Sequence, residues 1–558
     1  MYRNPVGRIY PQSISQDTLL DYSSLDLTDV AFPHPPNRPI TTLDLSRNQI
    51  KRLSINSTDA NLITRIILHD NEISDLPSDI RSFRNLQELY VAGCPLTTLP
   101  TWLEELTHLR ILDIGDTDMM DCPPVLRRLP NLSTLALANL PWMKLPHWFG
   151  DLPITTLSLY GMPQCDLSVI AELRSLNQLF LTRMHYTQIP TWLQACTRLT
   201  FLDLSDNPIT TLPPWLGKLS LETLILGRIR LERYPDWEQW NSLTTLDLVG
   251  CENADAVFSK PFPQSLHTLI LDTSTITAVP ECIRLLRSLR DCRLAHTTIT
   301  SVPTWLFEEV ALQSLDLSYT HLEFPALTKP SMLITFIFRG GRTSTWPSVF
   351  DQMPMLQLFD LEDAYFDDPL VQPLKTTYHD LKNFTSPRTY SGIPFALAMP
   401  NLQTLHMSAP WPPTSVDTLH MMLEHCPQLQ AISLLGWNLD TIPTSMQSLS
   451  DLRSLSVPYN QITEVPIWLQ GMTKLRSLDI SHNRLTQIPI WLRDMPHLES
   501  LDLSGNPLQT FPSWLKDIPT LSEVAFVFPP ASLQCDHVLP EFLAAGIRLD
   551  VRHPRDDP

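Results

Sequence analysis

Three aspartates, Asp116, Asp118 and Asp121, crowd the stretch GDTDMMD and are the first place to look for a cation site. A calcium loop sets oxygen ligands around a central glycine and ends on a glutamate. This stretch does neither, so a solvated acidic turn is the better reading. HMMLEHC, from His420 to Cys426, would bring an imidazole and a thiol near each other, but a helix of a returning segment with incidental histidine is the better reading. Serine, histidine and aspartate are plentiful, but no spacing selects a triad. There is no phosphate-cradling glycine loop, no HExxH, no GxSxG and no CxxC. No catalytic residue, metal or cofactor is therefore expected.

The chemistry that does repeat is of another kind. Aspartate recurs between two apolar residues at Asp44, Asp113, Asp203, Asp247, Asp316, Asp360, Asp479 and Asp502. Tyr90, Phe180, Ile225, Ile270 and Ile337 stand at the equivalent place elsewhere, with Tyr160 and Arg183 close by. Aromatic anchors beside charged groups are the usual makings of a binding surface for a macromolecule. Two readings of the aspartates stay open: an acidic stripe for a basic partner, or a residue the local fold requires.

The elements that must position these residues follow from a period. LRILDIGDTDM at Leu109 returns as LTFLDLSDNPI at Leu199, LQSLDLSYTHL at Leu312, LRSLDISHNRL at Leu475 and LESLDLSGNPL at Leu498. Lead residues recur from Ile40 to Leu521, mostly 22 or 23 residues apart, with a weaker unit at Tyr22. LxxLxL has the strand period of two and points its leucines to one side. One unit cannot bury them, so units must stack. Eight residues after the lead stands Asn48, Asn71, Asn207, Asn460, Asn483 or Asn506, or a small Cys, Thr or Ser, suited to bonding a turning backbone. Leu140, Met162, Met184, Ile229, Pro410 and Trp437 break that rule, and their turns should be less regular. The second half of each unit reads as LTTLPTWLEEL or ITEVPIWLQGM, where proline opens a short helical turn. Nine tryptophans fall at one register there, as packing or as a partner ladder.

The pattern resembles the leucine-rich-repeat family, in particular the 23-residue LPxWL units of intracellular signalling scaffolds and of some bacterial effectors. The resemblance implies an α/β solenoid of about 22 to 23 repeats. Parallel strands would line its concave face, and short helical or 3-10 segments its convex face. Residues 1–21 are expected as a lead-in, 22–528 as the solenoid with an irregular section near 356–428, and 529–558 as a cap and tail. The cap should hold a short helix near Val538–Ala545 and an edge strand at Ile547–Val551.

Composition narrows the function. With 59 acidic against 40 basic residues, the net charge of −19 disfavours nucleic acid, whose phosphates call for clustered Lys and Arg. No apolar stretch is long enough for membrane insertion. The start carries no apolar run of a signal peptide, and the nine cysteines are scattered, so free thiols and a cytoplasmic location are expected. Delivery into a host cell is the alternative location. The functional expectation is a non-enzymatic scaffold or adaptor. It would bind a protein, a basic surface being one option for that partner, along the concave section from Leu86 to Leu221, through Tyr90, Asp113, Tyr160, Phe180, Arg183 and Asp203. The alternatives are a secreted bacterial effector acting on a host protein and an extracellular recognition receptor. A competing site is the irregular stretch from Glu362 to Tyr390.

Overall fold

The computed structural model describes residues 19–31, 40–54, 61–233, 235–252, 261–367, 377–387, 399–409, 419–420, 423–509, 512–527, 541–542, 545 and 547–552. They fall into two compact units, 1–266 and 267–558, each a stack of leucine-rich repeats.

In the first unit each repeat contributes one short strand, and the weak unit read at Tyr22 is corrected: its strand lies five residues earlier, inside the stretch expected as a lead-in. Leu19–Asp21, Thr42–Asp44, Arg65–Ile67, Glu88–Tyr90, Ile111–Asp113, Thr134–Ala138, Thr156–Tyr160, Gln178–Thr182, Phe201–Asp203, Thr223–Ile225 and Thr245–Asp247 run parallel, each paired to the next. Pairing is in strict register: Tyr90 lies opposite Asp113, Phe180 opposite Asp203, and Asp203 opposite Ile225. The leucines Leu43, Leu89, Leu112, Leu135, Leu157, Leu179, Leu202 and Leu224 are wholly buried behind the sheet.

The second unit repeats the plan from Thr268–Ile270 to Arg548–Arg552. The loosened rhythm after Leu356 keeps its register, with Leu358 opposite Asn383, Asn383 opposite Thr404, and Thr404 opposite Ala431. The extra residues are therefore taken up in the loops between strands. The last strand, Arg548–Arg552, pairs with Glu523–Val527. The expected cap helix lies mostly outside the described residues, as do Pro410, Asp368, Arg388, Thr389 and Tyr390.

The asparagines do what their position requires. Asn483 donates to the carbonyls of Val457, Ile480 and Ser481 at 2.9, 3.1 and 2.9 Å and accepts from the Ile462 amide at 3.1 Å. Asn71, Asn207, Asn460 and Asn506 make the same set one unit apart. At Trp437 the expected irregularity is partly repaired, since its indole N–H donates to the Met407 carbonyl at 3.1 Å. Leu140, Met162, Met184 and Ile229 are simply buried.

One residue before the ladder position the backbone turns left-handed in unit after unit. In the first unit these are Arg47, Asp70, Gly93, Asp116, Asn139, Gly161, Arg183, Asp206, Arg228 and Gly250. On the return side, prolines such as Pro100, Pro190, Pro213 and Pro466 precede five-residue 3-10 turns, and Thr304–Glu308 forms an α-helical turn instead. The tryptophans pack there: Trp102, Trp192, Trp215, Trp468 and Trp491 are partly buried, Trp237 and Trp305 buried. No disulfide joins the eight described cysteines. Burial raises the thiol of Cys122 to about 12 and those of Cys196 and Cys426 to about 11.

Candidate functional site

The repeated aspartates are tied up in turns. Asp44 accepts from the Ser46 amide at 2.9 Å and its hydroxyl at 2.7 Å; Asp316 and Asp479 do the same with Ser318 and Ser481. Asp113, Asp247 and Asp502 accept from the amides of Gly115, Val249 and Ser504. In each case an aspartate at the end of a strand fixes the amide two residues on, an Asx turn. The column is thus a structural requirement of the bend, as the second of the two readings has it.

The six proposed site residues separate into two groups. Tyr90 and Asp113 form the first, and the expectation that Tyr90 stands exposed is corrected: both have no accessible surface. Strands about 4.8 Å apart let large side chains on neighbouring units close over one another. The Tyr90 hydroxyl donates to Glu88 Oε2 at 2.8 Å, and Arg65 clamps the same carboxylate through Nε and Nη2 at 2.5 and 2.7 Å. The His69 ring meets Tyr90 edge-on at 5.5 Å, with its Nε2 3.9 Å from Asp113 Oδ2. Burial, reinforced by Glu88, drives the Tyr90 phenol well above its ordinary range. This cluster ties three strands together, and neither Tyr90 nor Asp113 reaches the surface.

Tyr160, Phe180, Arg183 and Asp203 form the second group, on three successive strands and their turns. Phe180 is half-buried against Phe201, ring centroids 4.7 Å apart. Asp203 accepts from the Ser205 amide and hydroxyl at 2.8 and 2.5 Å. Arg183 occupies a left-handed position, φ 54°, which carries its side chain off the sheet edge, half of it exposed. Its guanidinium lies 5.5 Å from the Tyr160 ring centroid and donates to the Tyr160 hydroxyl at 2.6 Å, which leaves Tyr160 only 5% exposed. Asp206, the left-handed residue at the same place in the next unit, stands between Arg183 at 3.8 Å and Arg228, which it pairs closely. That pairing raises the Arg228 guanidinium above its ordinary value. Asp206 and Arg228 escaped the sequence reading, although their signal was present: they sit seven residues after Leu199 and Leu221, as Arg183 does after Leu176.

The competing stretch fares differently. Tyr378 is buried and donates to the Phe350 carbonyl at 2.5 Å, while Glu362 and Asp367 pair with Arg339 and Arg342. These three residues serve the core and the unit-to-unit seams.

The fold and site define a leucine-rich-repeat protein. Leucine-rich-repeat family models match residues 37–51, 85–106, 198–219 and 452–508. Among solved structures, the chain is similar to TLR13 in its complex with ssRNA13, at 19% identity and a TM-score of 0.54, over 88% of this chain and 82% of that one. It also aligns with a leucine-rich-repeat protein of Leptospira interrogans at 19% identity and a TM-score of 0.29, covering 91% and 96%. A third alignment is to the plant peptide hormone receptor RGFR1 bound to RGF2, at 20% identity and a TM-score of 0.35, covering 98% and 97%. The TLR13 likeness is one of fold alone. None of the curated proteins compared with the chain matches it.

Proposed function

We propose that the chain is a non-enzymatic binding scaffold that engages a protein partner on its strand face at Phe180, Arg183, Asp206 and Arg228, with Tyr160 and Asp203 beneath. The observation that carries this reading is the Arg183 arrangement. An exposed guanidinium is held in place by two groups, Tyr160 through its ring and hydroxyl and the Asp206 carboxylate, beside a half-buried phenylalanine. A pre-positioned arginine next to an aromatic loses little side-chain freedom on binding, and both residue types are enriched among energetically dominant contacts. The charge of −19 favours a protein with a basic surface over nucleic acid. Residues 529–558 act as the cap on this reading, supported by the strand Arg548–Arg552 that extends the stack.

The test is affinity capture from lysate with the intact chain, followed by the pair Phe180→Ala and Arg183→Glu in one variant. The variant should keep its thermal transition and lose the captured partner. Equal capture by a folded variant would remove this site from consideration. Tyr90→Phe serves as the opposite control, costing stability while leaving capture unchanged.

A further inference from the structure

Successive strand residues point to opposite sides of the sheet, so those facing away from the core should keep some accessible surface. At the place in the repeat that the aspartates hold elsewhere, Ile225, Ile270 and Ile337 do, and so do Ser433 and Ser456. One section departs from this. Over five successive strands, from Arg65–Ile67 to Thr156–Tyr160, every residue at that place is buried: Ile67, Tyr90, Asp113, Ala136 and Ser158. Two residues further on, His69, Ala92, Ala138 and Tyr160 are buried as well. Ile67 is 4% exposed and Ser158 5%. An isoleucine and a serine that stay partly open in other repeats are closed here, so the difference does not lie in the residue type.

The side chains of these strands do not explain the closure. Ala136 and Ala138 project one methyl each and roof over nothing, yet both are 0% exposed. Tyr90 has the reach to shelter Asp113, but its own ring has no accessible surface. The described elements pack chiefly against their neighbours in sequence, and no described repeat from elsewhere crosses these strands. Of the other stretches of the first unit, 32–39, 55–60, 234 and 253–260 fall by register in return halves. Residues 1–18 alone lead straight into a first strand, Leu19–Asp21.

We propose that residues 1–18 lie along the strand face from Ile67 to Tyr160 and are its intrachain ligand. The length suffices. Six strand steps separate Leu19–Asp21 from Thr156–Tyr160, about 29 Å at ~4.8 Å each, and an extended segment of this length spans about 60 Å. The chemistry matches. The segment carries Arg3 and Arg8 against one acid, Asp17, with Tyr2, Val6, Ile9 and Tyr10 as apolar anchors and Pro5 and Pro11 favouring an extended chain. The section it covers holds Asp113, with Asp70 and Asp116 along its turn edge, while Arg65 is engaged by Glu88. Small residues at Ala92, Ala136 and Ala138 let a backbone approach closely. The contact is independent of the partner site at Arg183, which begins at Phe180, where exposure resumes.

The test places a thiol under the cover, Ala136→Cys, and a control at the same place in an open repeat, Ser456→Cys. Reaction with N-ethylmaleimide is followed by mass spectrometry of tryptic peptides 129–144 and 454–474, which hold none of the nine native cysteines. In the full chain Cys at 136 should react far more slowly than Cys at 456. Removing residues 2–18 should speed the first at least about tenfold and leave the second unchanged. A synthetic peptide of residues 1–18, added at about millimolar concentration to match a tethered segment, should slow it again, and the same peptide with Arg3→Glu and Arg8→Glu should not. If the truncated chain also speeds up at 456 it has come apart, and the full chain carrying Arg3→Glu and Arg8→Glu then decides, with faster reaction at 136 alone expected. The proposal is overturned if Cys at 136 reacts as fast as Cys at 456 in the full chain, or if its rate is the same with and without an intact segment 1–18.

Discussion

Replacing Asn483 by alanine removes four hydrogen bonds at once, yet the cost should be far below four times the worth of one. Three of the four partners keep a second donor. The Val457 carbonyl is still met by Asn460 at 3.0 Å, the Ile480 carbonyl by Asn506 at 2.9 Å, and the Ser481 carbonyl by the Tyr459 amide at 3.2 Å. Only the Ile462 amide, which donates to Asn483 Oδ1 in a buried setting, is left without its acceptor. An orphaned buried N–H costs about 1–3 kcal/mol. The small void adds about 0.5 kcal/mol. The expected loss is therefore about 1.5–3.5 kcal/mol, centred on the 457–463 segment. Hydrogen exchange with mass spectrometry is the suitable assay, because repeat arrays open locally. Exchange in the peptide spanning 457–463 should accelerate roughly 30-fold for a loss of about 2 kcal/mol, a tenfold change being about 1.4 kcal/mol, while the peptide around Leu89 stays unchanged. A loss above about 5 kcal/mol would show that the bonds act additively, and no change at Ile462 would show that the ladder is not structural. Either result refutes the reasoning.

Two more outcomes follow from the same geometry. Gly505→Ala should cost about 1–2 kcal/mol by urea denaturation, because Gly505 sits at φ 67° and a Cβ there falls 2.4 Å from His482 Nδ1, whose ring stacks on Tyr459 at 4.1 Å; Gly471→Ala, with nothing within 4 Å, should lie within about 0.5 kcal/mol of the parent. Burial holds the Tyr378 phenol above its ordinary value and that of Tyr186 at about 12, against about 10 in an unfolded chain. The folded state therefore keeps protons that the unfolded state gives up, so this contribution is intact below about pH 10 and falls as pH rises beyond it. The thermal midpoint should decline between about pH 9.5 and 11, and a flat profile there would contradict the burial of these phenols.

The fold was legible because its signals are local and repeated. Leucines at period two, asparagine eight residues after the lead, and proline before each return turn each state one physical need. Together they placed strands, ladder and 3-10 turns. The site was legible only in part. The Asx turns were written in the sequence, since Asp44, Asp203, Asp316, Asp479 and Asp502 are each followed two positions later by serine, but the repeated carboxylate looked equally like a charged stripe. Tyr90 misled for a different reason. Its exposure is decided by Glu88 two residues back and Arg65 a whole unit earlier, and a period alone does not tell whether neighbouring side chains will close over a ring. Asp206 and Arg228 were missed because the left-handed position was not recognised as a column in its own right.

Register pairing and ladder bonds tie each repeat chiefly to the repeats next to it in sequence. Under tension applied to the chain ends, such a seam carries load one repeat at a time. When an outermost repeat peels away it releases about 23 residues, up to about 80 Å of slack, and leaves its neighbour with the same bonds to break. Pulled by an optical trap or by an unfoldase, the protein should yield in a staircase of near-equal steps.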